Sequence, residues 1–75
     1  MNNARREKLR KALAMISEIS SIIDQVCDKE QECLENFPEN LQGTDRYDAI
    51  ENAADSLTEA VEKLGEVEEC IQAAI

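Results

Sequence analysis

Histidine and tryptophan are absent from this 75-residue chain; proline, phenylalanine and tyrosine occur once each and glycine twice. Without histidine there is no His-based catalytic triad, and most zinc sites lose a principal ligand. Neither an Asp-rich calcium loop nor a Gly-rich phosphate loop occurs. No apolar run approaches the ~20 residues of a membrane span, and no signal peptide is expected ahead of the first apolar-periodic segment. Runs of β-branched residues are few, whereas Glu, Ala, Ile and Leu are the commonest residues. That balance predicts an all-α fold.

Cysteine is sparse too. Cys27, Cys33 and Cys70 are odd in number and fall at helical positions, which is not the pattern of a disulfide framework. They read as small hydrophobes in a reducing cytoplasm, with a regulated or intermolecular disulfide as the alternative.

The one proline divides the chain. Pro38 lacks an amide donor and biases Phe37 away from the α region, so a helix arriving from the N-terminal side stops there. Gly43 frees the backbone, and Thr44 is positioned to cap a new helix. The expected layout is one helical-hairpin domain: a helix over about 3–36, a hinge over 37–44 and a helix over about 45–74.

The first segment has neither Pro nor Gly up to Asn36, and Asn2 or Asn3 can cap its start. At 100° per residue, Leu9, Ala12, Leu13, Ile16, Ile19, Ile23, Val26, Cys27, Cys33, Leu34 and Phe37 share one broad face. Glu18, Asp24, Asp28, Glu32 and Glu35 lie on the polar side. The apolar stripe is wider than a two-stranded seam, as expected of a helix with more than one neighbour. Glu30 interrupts it, and a carboxylate there needs a partner, partial exposure or a role in setting register.

In the second segment Ile50, Ala54, Leu57, Val61, Leu64, Ile71 and Ile75 follow heptad spacing once Glu68 is included. If the chain folds back with Phe37 opposite Tyr47, then Cys27 meets Leu57, Ile16 meets Glu68, Leu9 meets Ile75 and Glu30 faces Ala54. Phe37 and Leu41 are expected to seal the hinge end. The basic start (Arg5, Arg6, Lys8, Arg10 and Lys11, against Glu7 alone) then lies beside the acidic end (Glu62, Glu66, Glu68, Glu69). Each charge run opposes its own helix dipole, and the antiparallel neighbour compensates both. Two long helices touching along one seam leave much apolar surface wet, so the hairpin is expected to form a homodimer and complete a four-helix bundle.

Asp48, Glu51, Asp55, Glu59, Glu62, Glu66 and Glu69 follow one another every three or four residues, opposite the seam. Their axial step of roughly 5 Å, at 1.5 Å rise per residue, is broadly compatible with imitation of a phosphate row. Solvation is the default for such a row; recognition of a basic partner is the functional reading. The net charge of −9 opposes direct nucleic-acid binding. No catalytic residue, metal ligand or cofactor is assigned. Glu30 and Glu68 are the register or core carboxylates, and they carry the alternative of a ligand- or metal-binding bundle. A small structural or assembly protein is a further alternative.

The segments Asp28-Lys29-Glu30-Gln31-Glu32 and Asn36-Phe37-Pro38-Glu39-Asn40-Leu41-Gln42, followed by Asp45-Arg46, resemble small acidic helical proteins encoded by phages, prophages and mobile elements of Gram-positive bacteria. The resemblance covers most of the chain and is most specific at the hinge. It implies a bacterial host cytoplasm and an accessory or counter-defence role against a basic host or phage protein. It supplies no enzymatic activity.

Overall fold

A computed structural model covers residues 1–75 and is an all-helical hairpin. Helix α1 runs Asn3–Glu35, a 3-10 turn occupies Glu39–Leu41, and helix α2 runs Asp45–Ala74. The principal extents are 59 × 15 × 13 Å, a narrow rod roughly four times as long as it is wide.

Both helices start where the sequence supplies an acceptor. Asn2 Oδ1 accepts the Arg5 amide at 2.9 Å, and Thr44 Oγ1 accepts the Tyr47 amide at 3.4 Å. Each bond satisfies one of the free amides of a first turn. The Thr44 hydroxyl also donates to the Leu41 carbonyl at 2.7 Å, tying the new helix to the hinge. α1 stops at Glu35, and the Asn36 and Phe37 amides reach back to the Glu32 and Leu34 carbonyls at 3.1 and 3.2 Å. Gly43 sits at φ +84°, where a side chain would be strained.

The hinge carries one element the sequence pattern did not suggest, the 3-10 turn, with the Leu41 amide bonded to the Pro38 carbonyl at 2.9 Å. This turn changes the fate of one expected seal. Phe37 is half-buried and meets Tyr47 edge-on, with ring centroids 5.4 Å apart. Leu41, by contrast, is 43% exposed, because the turn carries it off the end of the seam. The end is closed by the aromatic pair, not by Phe37 and Leu41 together.

The Phe37–Tyr47 contact sets the register at the hinge end, and in the middle Cys27 meets Ala54 and Thr58, which flank the expected Leu57. The Cys27 thiol donates to the Ala54 carbonyl at 3.6 Å and lies 3.4 Å from Thr58 Oγ1. Cys27 and Ala54 are the only buried residues. The small Ala54 lets the two backbones approach at the level where Cys27 crosses.

Candidate functional site

Assigning heptad positions to the observed burial makes the surface legible. In α1 the seam takes Arg6, Leu13, Ser20, Cys27 and Leu34 at a, and Leu9, Ile16, Ile23 and Glu30 at d; Phe37 continues the d row past the helix end. In α2 it takes Tyr47, Ala54, Val61, Glu68 and Ile75 at a, and Ile50, Leu57, Leu64 and Ile71 at d. All of these are buried or half-buried. The unbroken 3-4 spacing in both helices is that of an antiparallel coiled coil, in which e positions flank one side of the seam and g positions the other.

The e side is polar. Gln31 Nε2 lies 3.8 Å from the Cys27 sulfur, and the Thr58 hydroxyl donates to the Ala54 carbonyl at 3.0 Å. The remaining e residues of the two helices are Asn3, Arg10, Ser17, Asp24, Glu51, Gly65 and Gln72.

The g side differs in kind. Here α1 exposes Met15, Ile19, Ile22 and Val26, by 56, 45, 55 and 47%. They alternate between c and g and form a second apolar row beside the seam. α2 lines the same side with Ala53, Ala60, Val67 and Ala74 at g, and Ala49 and Cys70 at c. Two shallow grooves open on this side. One is bordered by Leu9, Lys63, Glu66, Val67, Cys70, Ile71 and Ala74; the other by Lys29, Glu32, Cys33, Asn36, Phe37, Arg46 and Ile50.

The broad face expected of α1 therefore divides. Leu9, Leu13, Ile16, Ile23, Cys27, Leu34 and Phe37 enter the seam, whereas Ile19, Val26 and Cys33 lie on the exposed flank with Met15 and Ile22. The three thiols divide likewise: all are free, Cys27 buried and Cys33 and Cys70 exposed.

Charge is sorted along the same division. Arg5, Lys8, Lys29, Arg46 and Lys63 occupy g or c positions, and none of the seventeen Asp and Glu does. The acidic row lies elsewhere: Asp48, Asp55, Glu62 and Glu69 at b, Glu59 and Glu66 at f, Glu51 at e. Every one of these carboxylates is exposed. The lysines at the rim of the apolar side reach across its edge to acids at f: Lys29 to Glu32 at 3.6 Å, Lys63 to Glu59 at 3.1 Å. Arg10 pairs with Glu7. All three pairs lie within one helix. The basic start and the acidic end thus face each other with no ion pair between helices, so the attraction acts at longer range and is salt-sensitive.

Glu30 and Glu68 are half-buried on the seam with neither an ion pair nor a side-chain hydrogen bond. In this register Glu68 is level with Ile16, about 21 Å along the axis from Glu30 at 1.5 Å per residue. The structure does not bring the two carboxylates together. No cluster of three or more Cys, Asp or Glu side chains is arranged to hold a metal ion, and no helix is long and apolar enough to cross a membrane. Thr58 and Ser20 are seam-associated polar residues that the apolar pattern alone passes over. Compared with known protein families, curated proteins and solved structures, the chain matches none.

Proposed function

We propose that this protein works by contact, as a non-enzymatic interaction module whose hairpins pair into a four-helix bundle. The exposed row Met15, Ile19, Ile22 and Val26 carries this reading. Large side chains in consecutive turns on one side of a soluble helix mark a surface made to be covered. Covering it also accounts for the separation of faces: the dimer keeps Asp48, Asp55, Glu59, Glu62, Glu66 and Glu69 outward.

That outward row is the surface for a partner. Within the row only Glu59 makes an ion pair, to Lys63, so most of its carboxylates remain free to meet a cationic partner. A basic groove of the kind that receives nucleic acid is the complementary surface, and occupying it would inhibit the owner. Such a role suits a phage or mobile-element accessory protein acting in a bacterial cytoplasm. A small assembly protein would have the same bundle and no use for the acidic row.

The test uses the protein as bait in a bacterial lysate, with duplex DNA as competitor. Partners held through the acidic row are displaced by added DNA and lost by the variant Asp55→Lys, Glu59→Lys, Glu62→Lys with helicity unchanged. Capture that survives both DNA and the triple variant removes charge imitation and leaves the assembly reading.

A further inference from the structure

We infer that the g-side face is where a second copy of this chain docks, with both hinges at the same end and α1 of each copy lying on α2 of the other. The inference rests on the proposed self-association and assigns its surface and orientation.

Three observations support a second copy. The side runs the length of the 59 Å rod, with its large exposed residues concentrated between Met15 and Val26, and covering the whole side would bury on the order of 800 Å² per copy, the size of a standard stable interface. Its apolar residues are confined to one side, whereas the e side offers Arg10, Asp24, Gln31, Glu51 and Gln72. Its rim charges are all cationic, and two of them already lean toward acids at f, Lys29 to Glu32 and Lys63 to Glu59. A docked copy presents the same f acids across the rim, so each lysine gains a second carboxylate neighbour without leaving its first.

Orientation follows from size and charge. A two-fold axis perpendicular to the rod would stack α1 on α1 and α2 on α2. That arrangement sets Ile19 and Ile22 against their own copies and the alanines of α2 against alanines, so one side of the bundle is overfilled and the other hollow. It also stacks two acidic α2 helices, whose only cations are Arg46 and Lys63. A two-fold axis along the rod instead lays α1 on α2 of the partner at the register already seen within the hairpin. The nearest flank residues of the two copies are then Ala12 and Ala74, Ile19 and Val67, Val26 and Ala60, and Cys33 and Ala53, each pair about 3 Å off level. Val26 thus faces an alanine and Ile19 a single valine, so no layer stacks isoleucine on isoleucine or, in the middle of the rod, alanine on alanine. Each basic start also gains a second acidic end beside it, giving alternating signs around that end of the bundle.

Two measurements test this. Ile19→Asp with Ile22→Asp places charge on the docking face, and Ser21→Asp with Gln25→Asp places the same charge on the solvent side of α1. The first pair should abolish the dimer in sedimentation and the second should keep it. A dimer that tolerates Ile19→Asp with Ile22→Asp overturns the assigned face. For orientation, a nitroxide is attached at Gln42→Cys after Cys27, Cys33 and Cys70 are replaced by Ala, with helicity and mass checked first. If that background fails to fold, Cys27 is retained, since at 6% exposure it resists labelling. Helix layers about 10 Å apart place the two hinge labels within ~30 Å. A distance approaching the full 59 Å length overturns the orientation while leaving self-association standing. A wild-type chain that stays a folded monomer at every concentration removes the underlying reading instead.

Discussion

Replacing Ala54 by leucine should cost the hairpin more than any other single apolar substitution. Ala54 is 3% exposed, and its carbonyl receives both the Cys27 thiol and the Thr58 hydroxyl, at 3.6 and 3.0 Å. The extra carbons must therefore enter where the two helices are closest, and they part the backbones or displace Cys27. Overpacking of this kind costs about 1–3 kcal/mol. Helix propensity does not obscure the effect, since Ala and Leu differ little. At about 4–8 °C per kcal/mol for a domain this small, melting should fall by roughly 5–20 °C. Ala14→Leu is the control: Ala14 is exposed on the outer side of α1, and its substitution should stay within about 0.5 kcal/mol. The assay is thermal and urea unfolding followed by far-ultraviolet circular dichroism. Protein concentration is held fixed, because association would add its own concentration dependence. An Ala54→Leu protein that melts with the wild type would refute the close approach at Cys27 and with it the register.

Further outcomes follow from the same geometry. Gly65→Ala should raise stability by about 1 kcal/mol, because a methyl group there meets nothing within 4 Å and the helix gains propensity; a loss would reveal a neighbour on that side. Gly43→Ala should destabilise by about 1–2 kcal/mol, since φ +84° disfavours an L side chain; equal urea midpoints would contradict the turn. Thr44→Ala should cost about 1 kcal/mol through the lost cap and raise amide exchange at Tyr47. With Cys33 and Cys70 replaced by Ser, the Cys27 thiol should react with a disulfide reagent only as fast as the seam opens. Modification at the rate of a free thiol would place Cys27 outside it.

Local signals made much of the fold legible in the chain. Pro38, Gly43 and Thr44 act within their own turns, so the end of α1 and the start of α2 could be read from neighbouring residues. The heptad of α2 could be read, Glu68 included, because its second apolar row is built mostly of alanine and its large residues, Val67 apart, lie on the seam. The flank of α1 was harder. Two apolar rows side by side merge into one broad face on a helical projection, and only the position of α2 separates Ile23 in the seam from Ile19 and Ile22 beside it. The exposure of Leu41 also lay beyond sequence, because it depends on a three-residue turn inside the hinge. The acidic row was legible as spacing; its segregation from every g and c position became visible once the seam had been located.

Sedimentation equilibrium from low micromolar to near-millimolar protein is the most direct test that this chain needs company. The account predicts a reversible shift from the 8.4 kDa chain to twice that mass, with the melting temperature rising alongside. A single 8.4 kDa species throughout, melting cooperatively at one concentration-independent temperature, would contradict it.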